Sequence, residues 1–310
     1  MENKIYDLLI IGGGPGGTSG AVYAARKQLK TIMVTEDWGG QSIVSEKIEN
    51  WIGTPAISGN DLALSFKNHV YANKGEFLEL VEGKRVEAVE KDGENFVSTL
   101  TDGSKIISKT ILVTAGSSRR KLEALNADKF EHKGVTYCAS CDGPIFADQD
   151  VVVVGGGNAG FETAAQLLAY CKSVTLLSRN DFKADEITVK KVLANPKMKA
   201  MTFTIPTEII GEKFVTGLKA QNSQTGEIIE IPTNGVFVEV GQIPNTGFLS
   251  TVVTLDELKR VIVDPLTQMS KTAGIWAAGD CTNGLYHQNN IAAGDAVKAL
   301  ENIYLYIHTK

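Results

Sequence analysis

The chain lacks any apolar run approaching the about 18–20 residues that a membrane helix needs, which excludes a helical membrane span. With only 4 cysteines in 310 residues it also lacks the thiol content of a disulfide-stapled secreted domain, and this points to a reducing, cytoplasmic setting. An acidic Glu2 and a short lead into the first glycine loop leave no room for a secretory signal. Basic residues are not in excess: the formal net charge is -5, which argues against nucleic acid, and Arg119-Arg120-Lys121 reads as solvated surface. The 4 histidines (His69, His132, His287 and His308) are scattered, and no low-complexity tract or solenoid period is visible.

What is present has a repeated plan. A chain of 310 residues exceeds one ordinary core, so two domains are expected, and 43% hydrophobic with 22% charged residues suits a soluble globular protein. Tyr6 to Ile11 is a short apolar run, followed by Gly12-Gly13-Gly14-Pro15-Gly16-Gly17, an Ala-rich segment to about Lys27, and a second run from Thr31 to Thr35. Val151 to Val154, Gly155-Gly156-Gly157-Asn158-Ala159-Gly160, an amphipathic segment to about Tyr170, and Ser173 to Leu177 repeat it. Strand, glycine turn, helix and strand make each a βαβ unit, so the expected fold class is α/β with two Rossmann-like, doubly wound, three-layer nucleotide-binding domains. Phe77 to Val113 alternates around Lys91-Asp92-Gly93 and Thr101-Asp102-Gly103, and predicts antiparallel strands; Phe203 to Val240, with a hairpin at Thr225-Gly226, predicts the same. Gly116-Ser117-Ser118 and Gly241-Gln242-Ile243-Pro244-Asn245 are the expected hinges.

Each glycine loop has the spacing that a dinucleotide requires. One glycine permits the tight turn, one lets the backbone approach a pyrophosphate, and one lets helix and strand pack closely, with the helix N-terminus presenting free N–H groups to the phosphates. Gly12, Gly14 and Gly17 fill these places first, and Glu36, about 20 residues on, is positioned to accept a ribose hydroxyl. Gly155, Gly157 and Gly160 fill them again, but Ser178 and Arg179 stand where a carboxylate would select NADH. Arg179 with Lys183 leans toward the 2′-phosphate of NADPH; Asp181 and Asp185 leave NADH open.

Between the loops lies Cys138-Ala139-Ser140-Cys141-Asp142-Gly143. A Cys-x-x-Cys pair admits a zinc site, two inert thiols or a redox disulfide. Zinc wants about four ligands in spaced pairs, and Cys171 and Cys281 are single and distant. The polar surroundings favour an accessible turn, and the pair beside a βαβ pattern favours disulfide exchange. Expelled thiolates must be protonated, and Asp142 can do so if partial burial lifts its proton affinity; otherwise it merely opens a turn with Gly143.

Taken together with Gly39-Gly40-Gln41, Glu49-Asn50-Trp51, Thr114-Ala115-Gly116 and Gly279-Asp280, the chain resembles the low-molecular-weight thioredoxin reductases and the C-terminal flavoprotein part of the F component of alkyl hydroperoxide reductase. The resemblance covers essentially the whole chain. It implies an FAD-binding domain over residues 1–116 and 244–310, with an NAD(P)H-binding domain, residues 117–243, inserted into it and carrying the cysteine pair. Gly12, Gly14, Pro15, Gly16, Gly17 and Glu36 would hold the ADP part of FAD. Gly40, Gln41, Asn50, Val86, Ala115, Gly116, Gly279, Asp280, His287, Gln288 and Asn289 would line the rest of that cofactor, with Gln41, Asn50 and Asp280 at the flavin and its ribityl chain. Gly155, Gly157, Asn158, Ala159, Gly160, Ser178, Arg179, Lys183 and Gly241 would bind NADPH, or NADH.

By the same resemblance, Cys141 is the flavin-proximal sulfur, Cys138 attacks the partner's disulfide and Asp142 is the acid. The implied protein is a homodimer whose inserted domain rotates between strokes, with a thioredoxin-like or peroxiredoxin-like partner and neither nucleic acid nor membrane. The chain departs from the pattern at two places. Ser178-Arg179-Asn180 replaces the reductases' His-Arg-Arg and lacks the acid of the NADH-using flavoproteins; His287-Gln288-Asn289 replaces Arg-Gln-Ala. No second Cys-x-x-Cys precedes the first loop, so the complete hydroperoxide reductase flavoprotein is not expected. A ferredoxin-dependent reductase and a redox-sensing flavoprotein without sustained turnover are the alternatives.

Overall fold

A computed structural model describes residues 4–45 and 47–309, and of Val44 its backbone; Glu2 lies outside the described residues. Strand β1 (Ile5–Gly13) is buried on both faces, with Leu8 and Ile10 packed to one side and Tyr6, Leu9 and Ile11 to the other. Burial on both faces is why its sequence is a continuous apolar run. Helix α1 (Pro15–Arg26) follows, with Pro15 in the first turn where an N–H has no helical partner. The chain returns through β2 (Thr31–Trp38), parallel to β1.

Helix α2 (Gly59–Ala72), capped by Ser58 Oγ accepting from the Asp61 N–H at 3.1 Å, leads to β3 (Leu78–Glu82). Strands β4 (Val86–Asp92), β5 (Asn95–Leu100) and β6 (Lys105–Val113) form an antiparallel meander with Gly93 and Gly103 in its turns. The expectation of antiparallel strands from Phe77 onward therefore fails at β3, which pairs parallel with β2. The α2 crossover returns the chain in its original direction, and a helical connection of that kind makes parallel neighbours. Strand β6 serves twice: its first half pairs with β5, and its second half runs parallel to β1.

The chain forms two compact units, one running to Ser118 and resuming at Ile243, the other spanning Arg119–Gln242. The inserted unit begins after β7 (Ser117–Arg119) with β8 (Val135–Thr136) and the single-turn helix α3 (Ala139–Asp142). Next come β9 (Asp150–Val154), α4 (Asn158–Leu167), β10 (Ser173–Leu177), α5 (Glu186–Leu193) and β11 (Met198–Met201). Strands β12 (Thr204–Gly211), β13 (Val215–Asn222) and β14 (Ile228–Pro232) make a three-stranded antiparallel sheet, turning at Thr225-Gly226 between the last two. Strand β15 (Gly235–Val238), expected within that antiparallel patch, instead joins the parallel sheet beside β9. All four of its residues are buried, as a central parallel strand requires.

The parallel order is β11-β10-β9-β15-β8, so the strand order reverses between β9 and β15. Val151 and Val153 pack with α4, while Val152 and Val154 pack with β12 and β13. Strand β16 (Gln242–Pro244) pairs with β7 where the chain leaves this unit. The first unit is completed by β17 (Ile275–Ala277), parallel to β6, and by helix α6 (Asn289–Thr309), whose Ala296, Ala299, Leu300 and Ile303 pack with α1. No described helix is long and apolar enough to cross a membrane.

Candidate active site

In the first unit the strand β1 to helix α1 turn is shaped by contact as well as conformation. Gly12 has φ +117°, and a Cβ on Gly17 would lie 1.8 Å from the Gly12 carbonyl oxygen. Thr114, at the end of β6, donates its hydroxyl to the Ile11 carbonyl at 2.8 Å and fixes the turn from the other side. Gly14 caps α1 with extended backbone, and neither a capping side chain nor an acidic residue in the first turn competes for its N–H groups. A Cβ on Gly40 would fall 3.5 Å from the Gly14 Cα, so these glycines face one another across a space that a side chain would fill. Pro15 and Gly16 lie in the first turn behind them.

The remaining first-unit candidates gather around that turn. Glu36 is exposed at the end of the buried part of β2, with Arg85 Nε 3.5 Å from its carboxylate, and Arg85 precedes the buried Val86. The segment from Gly40 to Asn50 is joined to the start of α6: Ser42 Oγ bonds Asn289 Oδ1 at 2.9 Å, Asn50 Nδ2 donates to Gln288 Oε1 at 3.2 Å, and Asn290 Nδ2 donates to the Asn50 carbonyl at 2.7 Å. Gln41 is exposed on this segment. Asn245 donates its side-chain amide to the Ala115 carbonyl and its backbone N–H to the Gly116 carbonyl, each at 3.0 Å. Gly279 packs against Ala292 of α6, and Asp280 Oδ1 lies 3.3 Å from His287 Nδ1. That nitrogen is buried and makes no aligned hydrogen bond. The contact is thus an ion-pair distance without the direction of a hydrogen bond, leaving His287 a polar atom for a ligand to engage. Paired glycines, uncontested helix N–H groups and this orphaned nitrogen fit an extended, phosphate-bearing cofactor.

The inserted unit repeats the turn. Gly155 has φ +144° and a Cβ on Gly160 would lie 2.0 Å from its carbonyl oxygen; at Gly157 a Cβ would meet nothing within 4 Å. Asn158 Oδ1 accepts from the Asp185 N–H at 2.8 Å, and the Lys183 N–H donates to the Gly156 carbonyl at 2.8 Å, so the segment after β10 is laid against the loop. Ser178 is buried, its Oγ 2.0 Å from where a Cβ on Gly156 would be. Arg179 and Lys183 are exposed and form no ion pair among the described residues, while Gly241 and Ala159 are exposed near the ends of β16 and α4.

Cys138 and Cys141 form a disulfide with Cα atoms 5.3 Å apart. Cys138 caps the single turn α3 and Cys141 lies within it, just beyond the carboxyl end of β8; Cys138 is half-buried and Cys141 exposed. Cys138 Sγ accepts from the Cys141 N–H at 3.2 Å, which places a backbone dipole on the sulfur that would carry thiolate charge. Asp142 is half-buried, and the Thr136 hydroxyl donates to its carboxylate. By contrast, burial pushes the Cys171 thiol up to about 11 and the Cys281 thiol up to about 12, which leaves both unreactive.

Sequence reasoning missed three polar residues at these sites. Thr136 is one; Thr163 and Glu239 are the others, joined by a hydrogen bond of 2.7 Å from the Thr163 hydroxyl to Glu239 Oε1 beside the second glycine loop.

Residues 6–296 match the family described as pyridine nucleotide-disulphide oxidoreductase. The chain is 36% identical over 307 residues to the NADH dehydrogenase of Bacillus subtilis, covering 99% of this chain and 59% of that one. It is likewise 36% identical to the F component of alkyl hydroperoxide reductase of Xanthomonas campestris, covering 96% of this chain and 56% of the other. The chain thus spans somewhat more than half the length of these curated relatives. Among solved structures, the thioredoxin reductase of Streptococcus pyogenes superposes with TM-score 0.90 at 31% identity over 100% of both chains. That of Giardia duodenalis gives 0.93 at 27% identity, over 98% of this chain and 99% of the other. The chain belongs to the pyridine nucleotide-disulphide oxidoreductase family. Membership implies, in general terms, a flavin and a pyridine nucleotide.

Proposed function

We propose that this protein passes electrons from NAD(P)H through FAD to the Cys138–Cys141 disulfide, and from there to a disulfide on a small redox protein of thioredoxin or peroxiredoxin type. The observation that carries the reading is the position of the disulfide. It sits on an accessible turn at the carboxyl end of β8, in the same parallel sheet whose reversal point bears a glycine loop. Doubly wound sheets bind nucleotides at that end and at that point. The solved relatives are named as thioredoxin reductases, and the curated ones include hydroperoxide reductase components.

In this reading the first unit binds FAD: Gly12, Gly14 and Gly17 with the α1 N–H groups take the pyrophosphate, Glu36 the adenosine ribose, and Asn50, Asp280, His287 and Gln288 the flavin end. Bound FAD supplies a two-electron relay between a hydride donor and a disulfide. The inserted unit binds the nicotinamide nucleotide, and the exposed cations Arg179 and Lys183 favour NADPH, with NADH the second choice. Two electrons and two protons convert the Cys138–Cys141 bridge to thiols. The Cys138 thiolate then attacks one sulfur of the partner's disulfide and expels the other, which Asp142 protonates; Cys141 next attacks the Cys138 sulfur, re-forming the bridge and releasing the partner as a dithiol. A cytoplasmic homodimer is the accompanying expectation.

Continuous consumption of NADPH or NADH on adding a thioredoxin tests this, read as loss of nucleotide absorbance over many turnovers. Sustained turnover that Cys138→Ser abolishes is expected. A single flavin reduction with no further consumption would overturn it in favour of a sensor, and no flavin reduction by either nucleotide would overturn the nucleotide donor.

A further inference from the structure

Glu239 directly follows β15, and β15 and β9 are the neighbours between which the sheet order reverses. A Cβ on Gly155, the first glycine after β9, would fall 3.1 Å from the Glu239 Cβ and 2.3 Å from its carbonyl oxygen. In sheets of this plan a dinucleotide lies across the carboxyl ends at the reversal, with one mononucleotide half on each side. Ser178 and Arg179 close β10 and mark the adenosine side. Glu239 therefore stands on the opposite side, the side of β8 and of Cys138, where the nicotinamide half belongs.

We infer that Glu239 positions the nicotinamide half of the bound nucleotide through a hydrogen bond between its second carboxyl oxygen and that half. The inference rests on the pyridine-nucleotide reading above. Its carboxyl is half-buried, and Oε1 already accepts from Thr163, whereas Oε2 has no hydrogen-bond partner among the described residues. Burial raises its proton affinity above that of an ordinary glutamate, and the neighbouring Glu162 of α4 acts in the same direction; the Thr163 hydrogen bond and Arg119 of β7 oppose this without prevailing. These are the charged groups that act on it, since β9 and its loop offer only apolar side chains and glycine there. A nicotinamide ring laid over Oε2 would remove its remaining water. An ionised carboxylate would then be enclosed with one hydrogen bond, which costs more than taking up a proton. Protonation and binding are therefore linked, and affinity falls as pH rises through the range where the free carboxyl ionises.

The test measures calorimetric binding of NADPH and NADH, whose dihydronicotinamide ring is uncharged, to the purified and fully reduced flavoprotein under anaerobic conditions at about pH 6 and about pH 8.5, beside ADP-ribose and its 2′-phosphate, which lack the nicotinamide. For the wild type, the affinity for the better dinucleotide should fall about threefold or more between the two. Glu239→Gln, a neutral donor of the same shape, should keep the acid-range affinity at both, and Glu239→Ala should weaken dinucleotide binding at both. Neither should alter binding of the nicotinamide-free ligands. Thr163→Val, which removes the hydroxyl that favours the ionised form, should move the fall to higher pH. Wild-type pH dependence in Glu239→Gln, or equal losses for ligands with and without nicotinamide, would overturn the inference while leaving the nucleotide reading intact. A wild-type protein that binds no pyridine nucleotide would overturn both.

Discussion

At the scale of single residues the chain shows how one side chain acquires different chemistry from its surroundings. Cys138 and Cys141 lie on an accessible turn and are bonded to each other, while Cys171 and Cys281 are buried with thiols pushed well above the physiological range. Asp142 gains its position from Thr136, whose hydroxyl holds the carboxylate beside the turn. Replacing Asp142 with Asn should slow reduction of a protein disulfide at neutral pH by about 10- to 100-fold, because the amide cannot deliver a proton to the departing thiolate. Flavin content should be unchanged; an unaltered rate in a steady-state assay would remove Asp142 as the acid. The cysteine pair and Asp142 were legible because all three lie within one short motif. Thr136 was not: its contact depends on a two-residue strand, β8, that is too short to announce itself. Glu239 was hidden for a related reason, since only the sheet order brings the end of β15 beside Gly155.

Among elements, the two strand–glycine–helix turns were readable because each glycine answers a local steric need, which sequence records directly. Gly160 and Gly157 separate the two needs. Ala at Gly160 would drive a Cβ into the Gly155 carbonyl, so Gly160→Ala should destabilise the inserted unit by about 1–3 kcal/mol as overpacking does, read by chemical denaturation. Gly157→Ala meets no protein atom within 4 Å and should leave that stability unchanged while weakening nucleotide binding. Equal stabilities in the two variants would contradict the steric account. Helices α2, α5 and α6 and the parallel placement of β3 were not legible, because their apolar patterns acquire meaning only once the sheet they cover exists. What joins α2 to β2 and β3 is a cluster around Glu82. Its carboxylate accepts from Trp38 Nε1 and Tyr71 Oη, each at 2.5 Å, and pairs with Lys67 at 3.0 Å. Partial burial opposes ionisation there, but the hydrogen bonds from Tyr71, Trp38 and Lys67 prevail and bring the carboxyl down to about 2. A depressed carboxyl contributes stability above its unfolded value of about 4.3, and the contribution disappears as pH falls toward about 2. Glu82→Gln should therefore lower the melting temperature by about 2–4 °C at neutral pH. The difference should vanish in strong acid, and one that persists there would show that packing, not charge, is responsible.

For the whole molecule, two compact units share one plan, and the second interrupts the first between Ser118 and Ile243. The two glycine turns have the same construction but different flanking residues: Glu36 follows the first, with Arg85 Nε 3.5 Å away, whereas the exposed Arg179 and Lys183 follow the second and form no ion pair among the described residues, a difference that would let the proposed sites take different cofactors. The architecture was readable from the repeat itself, whereas the insertion came only from the family resemblance, the residues themselves offering no more than hinges at Gly116-Ser117-Ser118 and Gly241-Gln242-Ile243-Pro244-Asn245. The central claim is that nucleotide electrons reach the bridge between positions 138 and 141. Alkylation followed by mass spectrometry, on anaerobic protein before and after one equivalent of NADPH or NADH, tests it without any partner protein. Cys138 and Cys141 should be blocked at first and take up alkylating agent only after nucleotide is added, while Cys171 and Cys281 remain unmodified throughout. A bridge still closed after the bound flavin has been fully reduced and allowed to equilibrate would contradict it.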